Sequence, residues 1–116
     1  MGKNKELGLE GEQQAAEYLN NQGFRILEQN YRYSRSEIDI IASKNDLLVF
    51  VEVKVRTNTN YGLPENFVDD KKAVNIIKGA DRYINEINWK GNIRFDIISI
   101  VKNGDTELQH FEDAFY

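Results

Sequence analysis

Two hydrophobic periods alternate along the chain, and the changes between them divide it into seven elements. Over residues 7–22, Leu9, Ala15, Ala16 and Leu19 recur at helical spacing, and Gly23 offers a stop. Three extended stretches follow, at about residues 24–33, 37–42 and 47–56, separated by Ser34-Arg35-Ser36 and Ser43-Lys44-Asn45-Asp46. Connections this short predict an antiparallel meander. Residues 57–67 carry Asn, Gly and the single proline, Pro64, and read as a loop. Asp69 and Asp70 then open a second helix reaching about residue 88. Its buried stripe is Ala73, Ile76, Ile77, Ala80, Ile84 and Ile87, and Lys72, Lys78, Asp81 and Glu86 supply the wetter side. A strand over 93–101, the hairpin signal Asn103-Gly104 and a final strand over 106–111 complete the order αβββαββ.

This order predicts an α/β fold: a mixed sheet with a helix on each face, because the second helix can carry the chain across to a strand parallel with its neighbour. The third strand supports it, since Val49, Val51, Val53 and Val55 form an unbroken apolar face that must be covered.

Composition narrows the class. A chain of 116 residues, 41% hydrophobic, suits a single globular domain. The absence of Cys excludes a disulfide framework and a thiolate metal site. No apolar run approaches the ~18 residues of a membrane span, and the first six residues are too polar for a signal peptide, so a soluble, cytoplasmic protein is expected. The net charge of −4 argues against general electrostatic binding to nucleic acid, so any such contact must be local.

The candidate chemistry lies on the other face of the third strand, Leu48, Phe50, Glu52, Lys54, Arg56, which changes from apolar to charged along its length. If a four-residue turn pairs Ala42 with Leu47, then Asp39 shares that face and lies diagonal to Glu52; a slip of two residues would set the two acids directly opposite. Two carboxylates with water and a substrate phosphate are the usual protein contribution to a Mg²⁺ site, and without a cation they would repel each other. Lys54 would then orient the attacking water or stabilise charge on the phosphate. Glu12 interrupts the apolar stripe of the first helix between Leu9 and Ala16, and an inward acid needs a partner or an ion. Arg56, Lys71 and Lys72 are candidate phosphate contacts, the last two in the first turn of the second helix. Arg32 and Arg35 flank them from the adjacent turn.

The segments E-I-D-I-I at 37–41 and F-V-E-V-K-V-R at 50–56 resemble the PD-(D/E)xK nuclease core, with Ile38 where the motif's name has proline. With G-L-E-G-E at 8–12, R-F-D-I-I at 94–98 and H-F-E-D-A-F at 110–115, nearly the whole chain resembles the YraN-type family of uncharacterised bacterial proteins. That family is similar in organisation to archaeal Holliday-junction resolvases. The resemblance implies a restriction-endonuclease-like fold, a Mg²⁺- or Mn²⁺-dependent phosphodiesterase site and a nucleic-acid substrate, DNA first. It places Glu12 as the acid of the first helix, Asp39 as the acid of the second strand, and Glu52 and Lys54 as the E-x-K pair, with Glu12, Asp39 and Glu52 as metal ligands. A homodimer would suit a symmetric substrate, although no segment marks an interface.

Each residue also has a plainer reading. Glu-x-Lys alone occurs by chance in roughly a third of chains this long. Glu52 and Lys54 could be an ion pair at a sheet edge, Asp39 a surface acid near a turn, and Glu12 the partner of an arginine. Asp96 reads as structural, paired with Arg94 or a lysine, and His110 as packed or hydrogen-bonded. A nuclease-like fold used only for binding nucleic acid or as a scaffold is the competing function.

Overall fold

The computed structural model describes the backbone at residues 2–57 and 68–115, and the side chains over 9–57 and 68–115 apart from Asn103. The loop expected around Pro64 and Tyr61-Gly62 falls outside the described residues.

Helix α1 spans Gly2–Asn21, and strands β1 (Arg25–Tyr33), β2 (Ser36–Lys44) and β3 (Leu47–Arg56) form the antiparallel meander. Helix α2 (Asp70–Ile87) carries the chain across to β4 (Asn92–Asn103), which pairs parallel with β3, and β5 (Asp105–Phe111) returns antiparallel. The five-stranded sheet has the order β1-β2-β3-β4-β5. This is the mixed α/β, restriction-endonuclease-like arrangement expected from the hydrophobic periods.

Local chemistry fixes the ends of α2. The Asp69 carboxylate accepts from Lys72 N–H at 2.8 Å as the N-cap, and Asn88 closes the helix in the left-handed region at φ 54°. Both helices approach the sheet through a glycine. A Cβ on Gly11 would overlap Val55 Cγ2, and one on Gly79 would overlap Ser36 Oγ, so neither position has room for a side chain. Ser36 donates a hydrogen bond to the Asn75 carbonyl at the second of these contacts.

Each sheet face has its own core. Ala15, Ala16 and Leu19 of α1 cover Ile40, Val49, Val51, Ile98 and Ile100. On the other face, Ile76, Ala80 and Tyr83 of α2 cover Ile41, Leu48, Phe50, Phe95 and Ile97. Phe50 is fully buried and stacks on Phe95 at 5.4 Å, a burial that contributes about 1.5–3 kcal/mol.

Three details differ from the expectation. The β2–β3 turn holds two residues, not four: Lys44 pairs with Leu47, and Asn45 supplies the positive φ of 55° that a tight turn needs. Leu9 and Ile87, assigned to buried stripes, are 54% and 40% exposed; Ile87 is the last residue of α2, and the described core of α1 begins at Ala15. Tyr83 and Gly79 complete the buried stripe of α2 instead, and Tyr83 is covered by edge contacts with Phe50 and Tyr31.

Candidate active site

The two-residue turn shifts the β2–β3 register by two, and this shift sets up the site. The ladder runs from Lys44↔Leu47 to Ile40↔Val51, so the next pair in the same register is Asp39 with Glu52. There the strands stop exchanging backbone bonds, and Val53 N–H donates to Asp39 Oδ2 at 2.8 Å. The core positions of β2 change side at the same point: Ile38 and Ile41 pack toward α2, Ile40 toward α1. A strand turning about its axis at Asp39 lets one carboxylate interact with groups arriving from both faces.

From one side comes Glu12. The close seat of Gly11 on Val55 brings the next residue to the sheet edge, where Asn30 and Asp39 lie within hydrogen-bonding reach of the half-buried Glu12 carboxylate. Asn30 holds a positive φ of 55° in β1, a conformation Asn tolerates well. Burial raises the Glu12 pKa, with Glu37 and Glu52 adding to it against the lowering by Asn30 and Asp39. Glu12 meets an amide and an acid, so the arginine-paired alternative does not describe it.

From the other side come Glu52 and two lysines. Glu52 is 6% exposed, and its Oε2 has no hydrogen bond. Lys72 Nζ stands against that oxygen as an ion pair without a directed hydrogen bond. Lys72 thus sits on Glu52, although its place in the first turn of α2 had suggested a phosphate contact. Burial opposes its charge, but Glu52 more than compensates and raises its pKa. Lys54 differs: burial and then the charge of Lys72 lower its pKa, with Glu52 and Asp39 opposing.

Asp39 carries the largest perturbation. Burial, then the hydrogen bond and charge of Glu52, push its pKa up to about 9. Its acidic neighbours thus favour the protonated form. Among the described residues no group of three or more Asp, Glu, His or Cys side chains is arranged to hold a metal ion as it stands. The donor chemistry nonetheless fits a hard divalent cation: the carboxylates of Glu12, Asp39 and Glu52 lie close enough for Glu12 and Glu52 to raise the Asp39 pKa, a conflict that a cation would relieve.

The other candidates are spread further. Arg56 is half-buried at the end of β3, and Lys71 is exposed beside Lys72. Arg32 pairs with Glu37 at 3.6 Å, and Arg35 is exposed in the β1–β2 turn. Asn30 and the pairing of Lys72 with Glu52 were not anticipated; the helical period places Lys72 on a side of α2 but not beside a particular strand residue.

A second buried acid proves structural. Asp96 is fully buried, receives two bonds from Arg94 at 2.8 and 2.9 Å, one from Asp113 N–H at 3.0 Å, and faces His110 Nε2 at 2.7 Å. Tyr18 Oη lies 3.1 Å from His110 Nδ1.

Among the described residues no helix is long and apolar enough to cross a membrane. The model of the uncharacterised protein family UPF0102 matches residues 11–100, which include Glu12, Asp39, Glu52 and Lys54. A UPF0102 protein of Christiangramia forsetii is 41% identical, covering 100% of this chain and 98% of the relative. One from Persephonella marina is 50% identical over 93% of this chain and 91% of its own length, and one from Flavobacterium johnsoniae is 43% identical over 100% and 98%. A family match over most of the chain, with relatives of equal length at this identity, means that the chain belongs to UPF0102.

Proposed function

We propose that this chain is a metal-dependent endonuclease that hydrolyses DNA phosphodiester bonds, with branched or distorted structures as the favoured substrates. The observation that carries the reading is Glu52: a buried carboxylate held against the Lys72 ammonium, beside Asp39, whose pKa is pushed up to about 9, and Lys54, made easier to deprotonate. Perturbed ionisable groups gather where chemistry is done.

Glu52, Asp39 and Glu12 would hold Mg²⁺ or Mn²⁺, with water and the substrate phosphate completing the coordination. When bound, the cation supplies Lewis-acid stabilisation of charge on the phosphate. Lys54, on the same face as Glu52, accepts a proton from the attacking water or donates to a phosphate oxygen. Lys72, held on Glu52 in this structure, would be available to the phosphate if a cation took over that carboxylate. Arg56 and Lys71 add backbone contacts.

Purified protein should nick DNA with Mg²⁺ or Mn²⁺ and not with EDTA, and Glu52→Ala or Lys54→Ala should lower the rate by about a hundredfold or more while leaving the circular dichroism spectrum unchanged. Equal nicking by wild type and both variants would assign the activity to a contaminant. A second reading, a module that binds nucleic acid without cutting it, draws on Lys72 already pairing with Glu52. Salt-sensitive DNA binding with no cleavage under any divalent metal would favour it.

A further inference from the structure

A basic stripe on α2 leads away from the acidic site. Lys71, Asn75, Lys78 and Arg82 recur at i, i+4, i+7 and i+11, so they share one flank of the helix over about 16 Å. That flank faces the β1–β2 turn. Tyr33, Ser34, Arg35 and Ser36 of the turn and Asn75 and Lys78 of the helix line a cleft of about 330 Å³. Arg82 lies over the Tyr33 ring at 5.2 Å, yet Tyr33 remains 42% exposed.

The charges differ in availability. Arg82 is paired with Glu86 at 3.0 Å and Arg32 with Glu37 at 3.6 Å. Among the described residues, none forms an ion pair with Arg35, Lys71 or Lys78. Arg35 and Lys78 line the cleft and Lys71 lies further along the same helix flank, a local concentration of positive charge in a chain whose net charge is −4. They mark a local surface that prefers a polyanion.

We propose that this cleft binds a single-stranded segment of nucleic acid that extends from the cleavage site, so that the preferred substrate carries an unpaired arm. The inference rests on the nuclease reading above. Its physical basis is the pairing of cations with an exposed aromatic ring: the cations neutralise phosphates whatever the strandedness, but a side-on ring stacks only on a base free of its partner. Position supports the same arrangement. Lys71 begins the stripe next to Lys72 on Glu52, and Ser36 lies three residues, about 10 Å, along β2 from Asp39. At ~3.4 Å per stacked nucleotide, the stripe accommodates about four or five nucleotides.

The test is fluorescence anisotropy of the full chain in EDTA, so that no cleavage intervenes, with three probes: a single-stranded 12-mer, its blunt duplex, and a duplex with a single-stranded tail. Wild type should bind the tailed and single-stranded probes at least about tenfold more tightly than the blunt duplex. Arg35→Glu combined with Lys78→Glu should remove that preference and flatten the salt dependence, each lost phosphate contact lowering the slope by about 0.7. Tyr33→Ala should weaken tail binding about tenfold, and Tyr33→Trp should restore it. Tighter binding to the blunt duplex, or variants that bind like wild type, would overturn the cleft while leaving metal-dependent nicking intact. Binding of an acidic peptide in preference to every oligonucleotide would also overturn it. If wild type neither binds nor cuts any nucleic acid, the nuclease reading fails along with it.

Discussion

Two carboxylates on the same sheet, Asp96 fully buried and Asp39 half-buried, have opposite surroundings. Asp96 faces a guanidinium, an imidazole and a backbone N–H. Burial alone would raise its pKa, but the hydrogen bonds from His110, Arg94 and Asp113 hold it below the usual carboxylate range. Asp39 receives one backbone N–H and otherwise faces Glu52 and Glu12, and its pKa rises to about 9. A saturated acid ties elements together: Asp96 joins β4 to β5 and, through His110 and Tyr18, to α1. An undersatisfied acid costs stability and persists where something else is meant to complete it. Burial is therefore a poor guide to function unless the partners are counted.

The largest effect should come from breaking the saturated cluster. Asp96→Ala removes two of the Arg94 hydrogen bonds, leaving it Glu112, and takes away the partner of His110 Nε2, and should destabilise the fold by about 3–5 kcal/mol, measured by urea unfolding. A loss below about 1 kcal/mol would mean that the network is ornamental.

Asp39→Asn should act in the opposite direction. The folded protein keeps a proton to about pH 9 on a group whose ordinary pKa is 3.8, so between those values the folded state binds more protons than the unfolded one. Stability from this group is complete below about pH 4 and is lost as pH rises through about 9. Urea unfolding in EDTA at pH 5, 7 and 9 should show this decline in wild type and a flatter profile in Asp39→Asn. Parallel profiles would show that Asp39 is already ionised. Divalent metal should cancel the decline in wild type alone.

The smallest effect tests Lys72. Lys72→Met removes the cation facing Glu52 and should lower apo stability by about 1–3 kcal/mol. Mn²⁺ should bind the variant more tightly than wild type by isothermal titration, since no ammonium competes for the carboxylate. Weaker Mn²⁺ binding would instead make Lys72 a support for the metal-loaded geometry.

Most of the fold was legible from the sequence because it follows periodicity. The valines of β3, the turn residues and the aspartates before α2 each have a local physical reason, and the parallel β3–β4 pair follows from the crossover helix. The acids of the site were legible as an alternation along β3 plus a breach in the apolar stripe of α1. Their actual apposition was not, because it depends on turn length: moving two residues from the β2–β3 turn into the strands converts a diagonal Asp39–Glu52 pair into a facing one. The partner of Lys72 was equally hidden, since no local pattern specifies which strand residue a helix will meet. The pairing of Asp96 with Arg94 and the hydrogen bonding of His110 were legible, but the link to Tyr18 spans 92 positions of sequence and has no local signature.

The seat of α1 at Gly11 separates two properties that usually vary together. A methyl group there would push the helix outward at Val55, and the displacement would fall first on Glu12, one residue along, while the core beneath α2 stayed as it is. The aperture between helix and strand can thus be adjusted from a position that bears no functional group. In a domain this small, such independence lets mutation retune one side of the molecule without wagering the whole.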